Sequence, residues 1–185
     1  ICVKTENADQ YASGDTYSID NIKGKSFSFV SATSTSGFAI PSSSIVSHFG
    51  LESSDQLLED GTFFSSVMFG DSHQGSAVNL LSGNADAAAF DDIDVDMYFD
   101  LVSGEPNTVG AVYQVKDDAA APFDTVRGEQ FTIIGITPVL NAPFCYNTDT
   151  LSEDEQKAIT EAMTSADTAA NTAIFYDGED ENATG

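Results

Sequence analysis

The hydrophobic pattern changes its period along the first hundred residues. Phe27 and Phe29 alternate with polar residues in 26–31, which predicts a strand. Apolar residues at helical spacing fill 37–49, and Gly50 follows as a stop signal, which predicts a helix. The same alternation then repeats. Further strands are predicted at 63–69 and 85–90, and further helices at 74–81 and 93–102.

This β-α-β-α-β order is typical of a parallel sheet covered by helices, so we expect an α/β fold. Beyond it, a helix is predicted to begin at 151–155, where Ser152 and Glu155 have the spacing of a capping box. Residues 6–20 are polar and are expected to form a loop. The remaining strand candidates are 1–3, 109–115, 130–136 and 143–146.

Composition and charge narrow the classes of partner. The chain has 185 residues, 41% of them hydrophobic, which is enough for one domain with a real core. Thirty acidic residues against six basic ones give a net charge of −24, which repels nucleic acid and anionic membrane surfaces. No apolar run is long enough to cross a membrane. Cys2 and Cys145 either form a disulfide or remain as two buried free thiols.

Three polar loops are predicted at the carboxyl edge of the parallel strands, where such sheets bind ligands. The first contains Ser34, Thr35, Ser36 and Gly37 at the start of a helix. Their hydroxyls and the first N–H groups of the helix can hold a tetrahedral oxyanion, with help from the helix dipole. The alternative interpretation is an ordinary N-cap in a serine-rich loop.

The second and third loops add one histidine and two aspartates. His73 begins the next helix and can donate to an anion oxygen, although a capping or surface role is equally open. Asp91 and Asp92 can accept from a protonated ligand oxygen, contact a ligand amine, or simply cap the helix expected to follow. There is no EF-hand spacing and no His/Cys cluster, so we expect neither a metal nor a cofactor.

Common enzyme motifs are absent: there is no Gly-x-Ser-x-Gly, no phosphate-binding Gly-Lys-Ser/Thr loop and no Cys/His pair. Lys23 and Lys25 lie at the amino end of the first predicted strand, away from the hydroxyl loop. Neutral donors without a cation fit reversible capture of an anion better than phosphoryl transfer. We therefore expect a binding protein and not an enzyme.

Four motifs occur in a familiar order: Ile-Lys-Gly-Lys at 22–25, Ser-Thr-Ser-Gly at 34–37, Gly-Asp-Ser-His at 70–73 and Gly-Asn-Ala-Asp-Ala-Ala at 83–88. In this order the chain resembles the phosphonate-binding periplasmic protein family, over about residues 1–175. Members of that family are substrate-binding components of ABC transporters for phosphate, phosphite and phosphonate. In that family, the Ser-Thr-Ser turn of the second motif and the histidine of the third hold the oxygens of the ligand. The resemblance therefore implies the same role for Ser34, Thr35, Ser36 and His73.

The resemblance also implies a fold, a location and a partner. The fold is the type 2 periplasmic-binding-protein fold, so residues 1–150 would be its second lobe, a three-layer α/β/α structure with a mostly parallel mixed sheet. Residues 151–176 would be C-terminal helices and 177–185 an acidic tail, and most of the first lobe would be absent. The protein would be extracytoplasmic, lipid-anchored in its full-length form, and would deliver its ligand to an ABC permease.

One departure from the family pattern affects the ligand. The family often carries an aspartate near the organic end of the ligand, whereas 139–143 reads Val-Leu-Asn-Ala-Pro, with Ala142 in that place. Recognition of an aminoalkyl group is therefore in doubt, unless Asp92 substitutes. Three alternatives stay open: a binding protein for another small anion such as a sulfonate or a carboxylate, an enzyme on the same fold, and a sensor domain.

Overall fold

The computed structural model describes residues 1–139 and 144–171, and it divides the chain into two compact units, Ile1–Val139 and Leu140–Gly185. Two α-helices are described in the first unit, α1 (Ile40–Phe49) and α2 (His73–Leu81), and two in the second, α3 (Glu153–Met163) and α4 (Ala166–Ala169). The described strands, all in the first unit, are β1 (Cys2–Lys4), β2 (Ala12–Ser13), β3 (Thr16–Tyr17), β4 (Ser26–Phe29), β5 (Ser66–Phe69), β6 (Ala87–Ala88), β7 (Phe99–Ser103), β8 (Val112–Val115) and β9 (Gln130–Ile133).

Seven of these strands form one mixed sheet in the order β5-β4-β6-β1-β9-β8-β7, while β2 and β3 form a small hairpin. Strand β4 is parallel to both β5 and β6, and every other neighbouring pair is antiparallel. The α/β class with a mixed sheet is confirmed. Its parallel part is β5-β4-β6, the part that the β-α-β-α-β pattern predicts.

Two hydrophobic clusters cover the two faces of this sheet, which gives the expected three layers. Successive residues of one strand belong to different clusters, because side chains alternate between the faces of a sheet. Ala88 packs in the cluster that contains Leu80 of α2, whereas Ala87 packs in the cluster that contains Ile45 of α1. Phe27 lies on the α1 face, with its ring centroid 4.6 Å from that of Phe64.

The local signals for α1, α2 and α3 are confirmed. Gly50 ends α1 in the left-handed conformation that favours glycine, with φ 63°. Helix α2 begins at His73, one residue earlier than expected. In α3, Ser152 and Glu155 form the predicted capping box. None of the helices in the described part of the chain is long and apolar enough to cross a membrane.

The helix expected at 93–102 is wrong. A short 3-10 helix occupies Asp96–Tyr98, and Phe99 then begins the edge strand β7, which pairs with β8. The apolar residues of this segment do not form one buried face: Met97 is 71% exposed, while Phe99 is buried. A strand at this position depends on pairing with β8, for example Phe99 with Val115, and local periodicity does not report such a partner.

Other differences concern the ends and the loops. Residues 6–20, expected to be a loop, contain the end of a 3-10 helix (Thr5–Tyr11) and the β2-β3 hairpin. The strand expected at 143–146 is not formed by 144–146, and residue 143 lies outside the described residues, as does the expected tail at 177–185. Both thiols are free, and Cys2 is buried, but Cys145 is exposed, so the alternative of two buried thiols is wrong for Cys145.

Candidate anion-binding site

The hydroxyl loop after β4 forms a capped helix start. Ser34 has extended backbone angles, and its Oγ accepts a hydrogen bond from the N–H of Gly37 at 3.0 Å. A π-helical turn, Thr35–Ala39, then leads into α1. Among the described residues, the N–H groups of Thr35 and Ser36 have no acceptor. These are unpaired first-turn donors of the kind that bind anions.

Glycine is required at position 37 because the turn packs back onto the end of β4. The N–H of Val30 donates to the carbonyl of Gly37 at 3.2 Å. A Cβ on Gly37 would collide with the side chain of Val30 and lie 2.9 Å from Ser34 Oγ. Gly37 thus serves the candidate site through its backbone and its small size.

A second capped turn brings His73 to the same edge of the sheet. Ser72 caps α2 by accepting from the N–H of Gly75 at 2.9 Å, and Asp71 adopts a left-handed backbone with φ 60°. The N–H of Asp71 donates to the carbonyl of Val30 at 2.9 Å, which joins this turn to the end of β4. His73 is consequently buried, with 8% of its surface exposed.

Ser36, His73 and Asp91 converge at this edge. The Oγ atom of Ser36 lies 3.2 Å from His73 Nε2 and donates to Asp91 Oδ2 at 2.9 Å. The same Asp91 oxygen lies 3.2 Å from His73 Nε2. On the other side of the ring, the N–H of Asp91 donates to His73 Nδ1 at 2.9 Å. Three predicted loops therefore meet as one constellation.

The bond from Asp91 decides what His73 can do. Because Nδ1 accepts a backbone N–H, the ring proton lies on Nε2, and Nε2 is a donor. A serine protease-like triad needs the opposite arrangement, in which Nε2 accepts the serine proton and a carboxylate holds Nδ1–H. His73 and Ser36 are therefore arranged as two hydrogen-bond donors and not as a base with its nucleophile.

The same tautomer disfavours a metal. His73, Asp91 and Asp94 bring one possible ligand atom each to within 4.8 Å of one another. A metal on Nε2 would need a lone pair there and a proton on Nδ1, which would then face the N–H of Asp91, donor against donor. The donor set fits an anion better than a cation.

Asp92 lies outside this constellation. Its side chain is exposed and accepts from the Nδ2 group of Asn107 at 2.7 Å. Thr35 contributes an exposed side chain and the unpaired N–H described above. The sequence leaves Asp91 and Asp92 as equal candidates and offers Asp92 as the substitute acid for the organic end of a ligand, whereas the structure brings Asp91 to Ser36 and His73. The segment 140–143, which bears on the organic end of a ligand, lies outside the described residues.

Basic side chains are bound elsewhere in the described part of the chain. Lys4 pairs with Glu6 and Glu129, and Lys25 donates to Gln10. His48, the second histidine, lies near the end of α1 and bonds to Asp20 at 2.6 Å. No ion pair with Lys or Arg is found at Ser36, His73 or Asp91 within 1–139 and 144–171. Within these described residues, the hydroxyl and N–H donors of the candidate site thus have no lysine or arginine paired beside them.

Comparison with known proteins assigns the chain to a protein family. No curated protein sequence matches it significantly. The family model for the periplasmic substrate-binding protein of phosphonate ABC transporters matches residues 5–182, nearly the whole chain. This family comprises transport proteins that bind a solute outside the cytoplasm and work with an ABC permease. The chain belongs to the phosphonate-binding family of periplasmic substrate-binding proteins.

Proposed function

We propose that this chain holds a phosphonate, phosphate or phosphite anion for an ABC permease, at the edge formed by Ser34–Gly37 and His73. The observation that carries the proposal is the pair of donors, Ser36 Oγ and His73 Nε2, 3.2 Å apart beside two unpaired N–H groups at a helix start. Thr35 and Ser36 supply those N–H groups, while Ser34 and Gly37 shape the turn.

Neutral donors are strong enough for this task. Three hydrogen bonds to a charged ligand contribute roughly 5 to 9 kcal/mol, at about 1.5 to 3 kcal/mol each. A micromolar complex needs about 8 kcal/mol. The upper end of this range reaches micromolar affinity without a lysine or arginine, which suits a carrier that must release its ligand. Contacts from the first lobe that the family resemblance implies would add to this affinity.

The direct test is calorimetric titration of the intact protein with phosphate, phosphite, methylphosphonate and 2-aminoethylphosphonate. We expect at least one of them to bind, and the Ser36→Ala/His73→Ala double variant to lose on the order of 100-fold or more in affinity, because two charge-assisted bonds are removed. The matched control is Ser47→Ala/His48→Ala, the same two changes at the far end of α1, where the affinity should not change.

Two results would overturn the proposal: no binding of any phosphorus oxyanion, or unchanged binding by the Ser36/His73 double variant. Tighter binding of a carboxylate, titrated in parallel with these four ligands, would favour the alternative of another small anion. Turnover of a phosphate ester would support an enzyme on this fold, against the donor role of His73. Fractionation of cells that make the full-length protein tests the proposed extracytoplasmic location and its lipid anchor.

A further inference from the structure

Asp91 places a carboxylate where an anion is proposed to bind. Its Oδ2 atom accepts from Ser36 Oγ at 2.9 Å and lies 3.2 Å from His73 Nε2, so it occupies both side-chain donors of the site. Its Oδ1 atom accepts from the N–H of Asp94 at 3.1 Å, which fixes the orientation of the carboxylate. The side chain is 24% exposed and thus open to a ligand on one side.

The surroundings offer this carboxylate no cation in the described part of the chain. From α2 it faces His73, whose Nε2 also lies 3.8 Å from Asp94 Oδ2, and from the helix start before α1 it faces the Ser36 hydroxyl. Within its own loop its neighbours Asp92 and Asp94 are both acidic. An incoming anion therefore meets a fixed negative charge as well as the donors.

Two anionic oxygens at hydrogen-bond distance are tolerated only when they share a proton. A phosphonate, phosphate or phosphite monoanion carries such a proton on one of its oxygens. A sulfonate or sulfate of the same shape carries none at neutral pH. The acid form of the ligand can donate its P–O–H to Asp91 Oδ2, while its other oxygens accept from Ser36, His73 and the helix N–H groups.

We propose that Asp91 is a specificity residue that admits oxyanions with an exchangeable proton and rejects fully ionised ones such as sulfonates. This inference rests on the proposed function, because it assumes that the anion is bound by Ser36 and His73. Asp91 then acts by repulsion toward the wrong ligand as much as by a bond to the right one.

A matched pair of ligands tests it: methylphosphonate and methanesulfonate, which have the same tetrahedral shape and differ in the proton. With the intact protein, at a pH where methylphosphonate is mainly the monoanion, we expect it to bind roughly 10- to 1,000-fold more tightly, the range by which a neighbouring charge changes proton affinities. Binding of methylphosphonate should also weaken as rising pH removes its second proton, which for related phosphomonoesters happens near about pH 6.

The Asp91→Asn variant should reduce this preference, because the amide can keep the bond from Asp94 and donate its N–H to a sulfonate oxygen. The control is Asp92→Asn, which removes the same charge one residue away and should leave the preference unchanged. Thermal unfolding of both variants, measured in parallel, shows that each is folded in the titration.

The outcomes separate this inference from the proposed function. If methylphosphonate and the other phosphorus oxyanions all fail to bind to the unaltered protein, the proposed function fails and takes the inference with it. If methylphosphonate binds but methanesulfonate binds equally well, only the inference fails. The inference also fails if the Asp91→Asn variant keeps the preference unchanged. It fails as well if the variant binds both ligands more tightly by the same factor, since Asp91 would then only compete with any anion for Ser36 and His73.

Discussion

Two serine–aspartate pairs lie near opposite ends of strand β4, and only one of them belongs to the candidate site. At the amino end, the N–H and Oγ of Ser26 both donate to Asp86 Oδ2, at 2.8 and 2.7 Å, and the N–H of Asp86 donates back to Ser26 Oγ at 2.9 Å. Beyond the carboxyl end, Ser36 Oγ donates to Asp91 Oδ2 at 2.9 Å beside His73.

The two pairs differ in whether hydrogen-bond donors near them remain unpaired. The Ser26–Asp86 pair exchanges its hydrogen bonds internally and joins the start of β4 to the start of β6, which gives the aspartate of the Gly-Asn-Ala-Asp motif a structural role. The Ser36–Asp91 pair lies beside the helix start before α1 and the start of α2. At the first of these, the N–H groups of Thr35 and Ser36 have no acceptor among the described residues. The same two residue types support the fold at one end and present donors at the other, because only the carboxyl edge gathers helix N-termini.

The largest effect expected from this comparison is opposite behaviour of two serine-to-alanine variants. Ser36→Ala should weaken oxyanion binding by about 10- to 100-fold, the value of one charge-assisted hydrogen bond. Its effect on stability should be small, because His73 Nε2 remains as a donor to Asp91 Oδ2. Ser26→Ala should leave binding unchanged and lower the free energy of unfolding by about 1 to 2 kcal/mol, because Asp86 loses the Ser26 hydroxyl and keeps only the Ser26 N–H. Calorimetry and urea unfolding measure the two quantities.

Each variant is the control for the other. If both lowered affinity equally, the site would depend on the overall rigidity of β4 and not on Ser36 itself. If Ser36→Ala mainly lowered stability, the hydroxyl of Ser36 would be a structural tie like that of Ser26, and the contrast between the two ends would disappear.

The fold elements near this site could be predicted because their signals are local. Phe27 and Phe29 show the strand period, and Gly50 gives a positive-φ stop for α1. The local pattern of β7 predicts a helix, because its strand conformation depends on pairing with β8. The insertion of β1 between β6 and β9 likewise rests on contacts more than eighty residues apart, which no local pattern carries.

The candidate site was predictable to the level of loops but not of every side chain. Ser36 and His73 follow from the rule that ligands bind beyond the carboxyl ends of parallel strands. The choice between Asp91 and Asp92 depends on one backbone contact, the N–H of Asp91 on His73 Nδ1. Adjacent residues point in different directions according to φ and ψ in an irregular turn, and sequence does not report those angles.

A moderate effect is expected when the amino-end aspartate is removed. Asp86→Ala should lower the free energy of unfolding by about 1 to 2 kcal/mol, since the Ser26 N–H and hydroxyl lose a charged acceptor. Hydrogen exchange at the Ser26 amide should speed up at the same time. The control is Asp92→Ala, an exposed aspartate with a single side-chain bond to Asn107, which should change stability by less than about 0.5 kcal/mol. An unchanged exchange rate at the Ser26 amide would show that its N–H is not protected by the hydrogen bond to Asp86.

The smallest expected effect concerns the pKa of Tyr11, which responds to the charge of Asp86 in the Ser26–Asp86 pair. Burial, and secondarily the negative charge of Asp86, raise the pKa of Tyr11 from 10.0 to about 12. A tyrosine with a raised pKa keeps its proton longer in the folded state, so its contribution to stability is complete below pH 10.0 and is lost as the pH rises toward about 12.

Replacing Asp86 by asparagine removes the smaller of these two causes and leaves burial in place. The pKa of Tyr11 should therefore fall only part of the way toward 10.0, as measured by the ultraviolet absorbance of tyrosinate during titration of the intact protein. Asp91→Asn removes the same charge from the other pair and should leave this titration unchanged. Equal shifts in the two variants would mean that Tyr11 responds to the total charge of the molecule, and the two ends of β4 would then be electrostatically indistinguishable to it.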